Sequence, residues 1–242
     1  MILAIDIGNT NVTCGVYSGK KWVHTLRLPS TLDFWNQFSN LKEFDITESA
    51  ISSVVPNLTQ VYIESIRNLF QIDAHIITYQ NSGVKLLVET PKDVGVDRIC
   101  NVAAAKEIVD TPAIVGDIGS ATNYDVVDEK GAFIGGAIAP GIEVAAHNLI
   151  QKAALLKETA FIVPKSAVGK TTESNLQSGI ILGAIDVVDG MFTRILEELK
   201  WDEFNIIVTG GFGELISPHL KTEHNYLPNL TLDGIRIIYK NN

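Results

Sequence analysis

The sequence predicts an α/β protein of two lobes, each with a mixed β-sheet, related by an internal duplication. Three observations carry this. A strand, Asp-Ile-Gly, polar turn, strand unit occurs twice, as Ile2 to Tyr17 around Asp6-Ile7-Gly8 and as Ala113 to Val127 around Asp117-Ile118-Gly119. The two copies keep one constant offset, close to half the chain length, and such self-similarity marks two copies of one supersecondary unit. After an antiparallel opening, the first half alternates strand and helix patterns, the order of an α/β lobe. Finally, 242 residues are enough for two modest cores. The boundary between the copies gives lobes 1–112 and 113–242.

Residues 1–28 read as three antiparallel strands, the first an apolar run from Ile2 to Ile5. Leu32, Trp35, Phe38 and Leu41 recur at helical spacing and predict a helix over 32–44. A strand over 50–55, a turn at Pro56, a helix over 58–70 and a strand over 74–77 follow. The segment 85–96 is less regular and leads into a helix that runs from about Asp97 to about Val109. In the second half the repeated hairpin precedes a strand over 132–139, a helix over 142–150 and a loop over 157–170, a candidate mobile segment. A long helix is expected over 172–199, although Gly179, Gly183 and Gly190 lower its propensity. Gly179 and Gly183 share a face, which suggests close packing against another helix or a nucleotide. A strand over 205–208, Thr209-Gly210-Gly211, a helix through Leu215 and a last helix over 230–239 complete the chain.

Hydrophobic residues make up 46% and charged residues 19%, the balance of an ordered globular chain. The net charge of −9 argues against nonspecific nucleic-acid binding, which needs a Lys/Arg patch. It does not exclude an anionic substrate, since local donors decide that. Cys14 and Cys100 lack metal-site spacing and read as reduced core residues of a cytoplasmic protein. No signal peptide and no membrane-spanning run are expected.

The chemistry concentrates in four places. Asp6 ends the first strand, where its carboxylate could hold hydrated magnesium; Gly8 admits a ligand close to the backbone, and Asn9, Thr10 and Asn11 offer amide and hydroxyl groups. The same residues also suit an ordinary hairpin turn, but the repeat weakens that reading. Two such acidic turns facing each other would make a nucleotide cleft between lobes. Asp97 at a helix start reads either as an N-cap or as the group that orients and deprotonates an alcohol, with Arg98 binding an anion. Thr172 reads as an N-cap, a hydroxyl donor to substrate, or both. The Gly210-Gly211 pair after a strand gives open backbone access to a base or ribose, or is a tight loop. Gly169-Lys170-Thr171 lacks the preceding strand and glycine spacing of a P-loop.

Six motifs occur in order from residue 6 to residue 211: Asp6-Ile-Gly-Asn-Thr, Gly95-Val-Asp97-Arg98, Asp117-Ile-Gly-Ser-Ala-Thr122, Gly135-Gly-Ala-Ile-Ala-Pro-Gly141, Gly169-Lys-Thr-Thr172 with Gln177-Ser-Gly179, and Thr209-Gly-Gly211. Together they resemble the type III pantothenate kinases. The resemblance implies the actin-like ATPase and sugar-kinase fold, with duplicated ribonuclease-H-like domains and mixed β-sheets. It implies ATP-dependent phosphorylation of pantothenate to 4'-phosphopantothenate on the way to coenzyme A. It also implies a homodimer, magnesium with ATP, and a monovalent cation, K+ or NH4+. By position, Asp6, Ile7, Gly8, Asn9, Thr10, Asn11, Val12 and Thr13 would hold ATP phosphates, with Asp6 near magnesium. Ser120 and Thr122 would face the phosphates, and Gly210 and Gly211 would border the nucleotide. Val88, Gly95, Val96, Asp97, Arg98 and Thr172 would contact pantothenate, with Asp97 as proton acceptor, and Asp117 would bind the monovalent cation. The family usually has Thr where Ser120 stands and commonly Thr at Asn123; many members have a pantothenate-contacting Tyr where Val88 stands. A same-fold kinase of another small molecule, or a nucleotide-binding relative without catalysis, are the alternatives.

Overall fold

The computed structural model describes residues 1–153 and 155–242. The chain opens with β1 (Ile2–Ile7), β2 (Asn11–Ser18) and β3 (Lys21–Pro29). A one-turn helix, α1 (Trp35–Phe38), then β4 (Glu48–Ser53), α2 (Pro56–Phe70), β5 (Ala74–Ile76) and α3 (Val96–Ile108) follow. Next come β6 (Ala113–Ile118), β7 (Ala121–Val127), β8 (Phe133–Pro140), α4 (Ile142–Lys152), α5 (Thr172–Gln177) and α6 (Gly183–Leu199). The chain closes with β9 (Asn205–Thr209), α7 (Gly213–Ile216), β10 (Asn225–Tyr226) and α8 (Leu230–Lys240).

Two five-stranded mixed sheets share one plan. The first has the order β3-β2-β1-β4-β5 and the second β8-β7-β6-β9-β10. In each, an antiparallel hairpin is followed by parallel pairing of the hairpin's first strand with the next strand, β1 with β4 and β6 with β9. The repeat seen in the sequence is thus a repeat of topology. Asp6 pairs with Thr13 across the first hairpin, and Asp117 with Asn123 across the second. The second turn is one residue shorter, so the equivalence skips a position after Gly119.

Packing divides the chain into two units. The first holds Met1–Ile108, Gly131–Ile134 and Asn229–Asn242; the second holds Val109–Lys130 and Gly135–Pro228. A cut at 112/113 had placed the C-terminal helix in the second lobe, but α8 packs in the first unit. The reason is its apolar stripe: Leu232, Ile235 and Ile238 are buried with Ala4, Ala50, Ile99 and Cys100. Small residues permit this, since a Cβ on Gly234 would strike the Cys100 carbonyl. On the other face of the first sheet, Leu3, Ile5 and Ile7 pack with Leu58, Tyr62 and Ile66 of α2. Side chains alternate along a strand, so Ala4 and Asp6 share the face that α3 covers. In the second unit Ile114, Ile118, Tyr124, Ile185, Phe192 and Val208 form the core.

Several local expectations change. The segment 32–44 is a four-residue helix running into a 3-10 turn, with Phe38 and Leu41 buried but Leu32 and Trp35 exposed. A helix so short lacks the hydrogen bonds to hold a longer apolar stripe in register. Pro56 begins α2 rather than preceding it, as suits a residue whose missing N–H would be unpaired there anyway. The expected helix over 172–199 is interrupted by a π-helical turn, Ser178–Leu182. Ser178 Oγ donates to the Ala167 carbonyl at 2.6 Å and Gln177 Nε2 to Thr159 Oγ1 at 3.1 Å, which ties this turn to the segment before it. Gly179 and Gly183 have no atom within 4 Å of where a Cβ would stand, so no helix of this chain packs on them among the described residues. Strand β10, two residues long, is too short to carry a periodic pattern in the sequence. No helix of the described residues is long and apolar enough to cross a membrane.

Candidate active site

In the first unit the predicted residues gather at the ends of β1 and β4 and the start of α3. The turn after β1 closes with Gly8 N–H donating to the Asn11 carbonyl at 3.0 Å. Ser30, just past β3, clamps it: its N–H reaches the Thr10 carbonyl at 2.9 Å and its Oγ the Gly8 carbonyl at 2.6 Å. Asn9 and Thr10 are exposed at the tip, while Ile7 and Val12 are fully buried in the core, so only their backbone is available to a ligand.

Asp6 lies level with Ser52 on the neighbouring parallel strand, and Ser52 Oγ donates to Asp6 Oδ1 at 3.0 Å. The Cys100 thiol on α3 is within hydrogen-bonding reach of Ser52 and feels the charges of both Asp6 and Asp97. Ser52 thus connects Asp6 with Cys100 on α3. Burial, with the negative field of the two carboxylates, pushes the Cys100 thiol well above its ordinary range and keeps it protonated.

Asp97 is the second residue of α3, not its cap. The Gly95 carbonyl accepts the first helical bond, from Ile99 N–H at 3.2 Å. The Asp97 carboxylate curls back so that Oδ1 accepts the Arg98 N–H at 2.8 Å, one of the donors a helix start leaves unpaired. This explains Gly95: a Cβ there would strike Asp97 Oδ1. Desolvation raises the Asp97 pKa above the usual carboxylate value, against the lowering pull of the Arg98 N–H and guanidinium. Arg98 itself stacks its guanidinium over Phe133, 5.2 Å from the ring centroid. Val88, partly buried, ends the segment whose Lys85 and Leu87 backbone groups bond to Phe133.

In the second unit, Asp117 ends β6 as Asp6 ends β1. Gly210 has φ +91°, a region that favours glycine, and a Cβ there would strike Asp117 Oδ1. A Cβ on Gly119 would stand 3.6 Å from the same oxygen. The lack of a side chain at Gly210 thus lets its backbone lie directly against this carboxylate. Asn123 lies opposite it across the hairpin. Gly141 N–H donates to the Ser120 carbonyl at 3.1 Å, and no side chain fits at Gly141 because the carbonyls of Gly119 and Ser120 press against it. Ser120 is partly open, whereas Thr122 is only 4% exposed and lines an apolar cavity of about 450 Å³ with Pro140, Leu149, Gly179, Gly183 and Val187. Thr171, not Thr172, caps α5: its Oγ1 accepts the Ser174 N–H at 3.1 Å in a reciprocal capping box. The exposed Thr172 hydroxyl is left out of the cap. Gly211 is exposed beside Gly210.

Sequence reasoning missed Ser30 and Ser52. The one available signal for Ser52 was a pair of serines ending an apolar strand. Among the described residues no three His, Cys, Asp or Glu side chains gather as a metal cage. A strand-end carboxylate fits a cation that takes most of its ligands from phosphate and water.

Two sheets of repeated plan, each with a carboxylate at the end of its central strand, define the fold of the actin-like ATPases and sugar kinases. Solved structures agree in fold: a Baf-family protein titled a transcriptional activator from Campylobacter jejuni (TM-score 0.63, 21% identity, 99% of this chain and 98% of that one) and EutJ from Carboxydothermus hydrogenoformans (TM-score 0.52, 14% identity, 98% and 89%). The model of the type III pantothenate kinase family matches residues 2–194. Curated type III pantothenate kinases from Thermomicrobium roseum (40% identity, 99% of this chain and 97% of that one) and Moorella thermoacetica (37%, 100% of both) match along the whole length. The chain belongs to the type III pantothenate kinases.

The raised pKa of Asp97 has a consequence for stability. A carboxyl whose folded pKa lies above its unfolded value binds protons more readily when folded, so its ionised form costs stability at neutral pH. That cost disappears as pH falls below the unfolded carboxylate value. Asp97→Asn, which keeps an oxygen for the Arg98 N–H, is expected to unfold at a higher urea midpoint than the parent at pH 7. The advantage shrinks toward acid pH. A lower midpoint at pH 7 contradicts this account.

Proposed function

We propose that this chain phosphorylates pantothenate from ATP, the first step toward coenzyme A, with Asp97 as the proton acceptor. The family assignment gives the reaction, a phosphoryl transfer to an alcohol. The observation that supports Asp97 is its position: a carboxylate with a raised pKa, held at the start of α3, whose charge reaches the same Cys100 thiol as that of the strand-end carboxylate Asp6. Phosphoryl transfer passes through a loose transition state that needs alignment and charge neutralisation more than a strong base. Asp97 accepts a hydrogen bond from the pantothenate hydroxyl and aims its oxygen at the γ-phosphorus. The new P–O bond forms as the bond to the β-phosphate oxygen breaks, and the hydroxyl proton passes late to Asp97. ADP and 4'-phosphopantothenate result.

The backbone from Asp6 to Thr13, with the Asn9 and Thr10 side chains, holds phosphates in this reading. In the second unit Ser120, with Thr122 buried behind it, serves the phosphates, and Gly210 and Gly211 serve the nucleotide. Gly95, Val96, Arg98, Thr172 and Val88 bind pantothenate; Val88 makes an apolar contact only. Magnesium, held at Asp6, would neutralise phosphate charge, and K+ or NH4+ would sit at Asp117, which Asn123 faces in register across the hairpin. A homodimer is supported by the apolar cavity of the second unit, where Leu149 and Val187 are 46% and 53% exposed beside the unfilled positions of Gly179 and Gly183. The buried free thiols Cys14 and Cys100 accord with a reducing cytoplasm.

In a coupled assay of ADP release, Asp97→Asn is expected to lower kcat by about 10²- to 10⁴-fold, the usual worth of a positioned acid–base group. The acid limb of the parent's kcat/KM profile should lie above the ordinary Asp value of about 4. Turnover unchanged in Asp97→Asn removes it from the mechanism. Asp117→Asn should weaken activation by K+ or NH4+, and an unaltered cation dependence refutes its role. Val187→Glu should convert the dimer to monomers in sedimentation velocity; an unchanged sedimentation coefficient places the interface elsewhere.

A further inference from the structure

We propose that Ser52 is a positioning residue for Asp6, its hydroxyl fixing the orientation of the carboxylate at the end of β1. The proposal rests on the reading of Asp6 as the magnesium-side carboxylate.

Ser52 is fully buried on the face of the first sheet that α3 covers. A serine hydroxyl has one proton to give and lone pairs to accept with. An ionised carboxylate only accepts, so the bond at 3.0 Å directs the proton of Ser52 to Asp6 Oδ1. Cys100 on α3 lies within hydrogen-bonding reach of the same hydroxyl. The hydroxyl thus lies between the strand carrying Asp6 and the helix carrying Asp97. With Oδ1 held from one side, the carboxylate loses rotation about its last bond. Groups that hold a metal ligand in one orientation raise metal affinity without touching the metal.

The neighbouring serine provides a contrast. Ser53 bonds only locally, its Oγ accepting the Val55 N–H at 3.1 Å and the Thr59 hydroxyl at 2.7 Å, and so shapes the entry to α2. Ser52 instead reaches across strands. The duplication supplies an independent parallel: Thr209, a second buried hydroxyl residue, lies level with Asp117 on the neighbouring parallel strand, as Ser52 lies level with Asp6. Two strand-end carboxylates thus each have a hydroxyl-bearing neighbour in the same register position, which packing alone does not require.

The test measures Mn2+ binding to the full-length enzyme with a non-hydrolysable ATP analogue, by electron paramagnetic resonance, in the parent, Ser52→Ala, Ser52→Thr and Asp6→Asn. Ser52→Ala is expected to weaken Mn2+ binding by roughly tenfold, the lower end of what removing a ligand's orienting partner costs. Ser52→Thr, which keeps the hydroxyl, should restore most of it, and calorimetric binding of pantothenate should be unchanged in both. Parent-like Mn2+ affinity in Ser52→Ala, with affinity lost in Asp6→Asn, overturns the role of Ser52 alone. Parent-like affinity in Asp6→Asn overturns the assignment of Asp6 to the metal, and this proposal with it. If Ser52→Ala shows no cooperative melting, Ser52→Cys takes its place as an isosteric weak donor; parent-like affinity there overturns the proposal.

Discussion

A central strand buried on both faces has to carry its polar chemistry at its end. β1 is apolar from Ile2 to Ile5, with Asp6 the first charged group as the strand emerges from the core, and β6 repeats this with Asp117. Charge is costly inside such a sheet and tolerated where the strand stops, because there the carboxylate can find hydrogen-bond donors. Open α/β sheets place ligands beyond the carboxyl ends of their strands for the same reason. Almost every residue assigned to the reaction follows from that constraint: the turn after β1, the turn after β6, and the helix start that carries Asp97.

Glycine defines the space around these carboxylates. Gly95 makes way for the Asp97 side chain to fold back on its own helix start, and Gly210 makes way for Asp117. Gly141 serves a different need, letting β8 run into α4 directly against the carbonyls of the second turn. At each position a methyl group would meet a polar atom rather than an apolar one, so a larger residue would displace the site itself. Asp97 shows the accompanying energetic conflict. Its burial disfavours its charged form, and Arg98 offsets only part of that. A carboxylate buried in this way costs the fold stability at neutral pH.

Duplication has kept the scaffold and let the details diverge. Both sheets have the same strand order and the same mixture of parallel and antiparallel pairs. The second hairpin turn is a residue shorter, and Asn123 stands across from its carboxylate where Thr13 stands in the first.

Much of this was written in local sequence. Periodicity two and 3.6 located most strands and helices, and the repeated Asp-Ile-Gly exposed the duplication, since short-range patterns reflect how each element meets its own neighbours. The motifs carried the family. Other features arise only when distant segments meet. The docking of α8 in the first unit depends on Gly234 lying against the Cys100 backbone, and nothing local to residues 230–240 specifies which sheet that stripe covers. The π turn that divides 172–199 depends on anchors to Ala167 and Thr159. The bond from Ser52 to Asp6 spans 46 residues and exists because parallel register sets those two side chains level. Sequence alone determined which groups are chemically competent; register and packing decided which of them touch, because a parallel pairing is specified by the whole sheet and not by either strand.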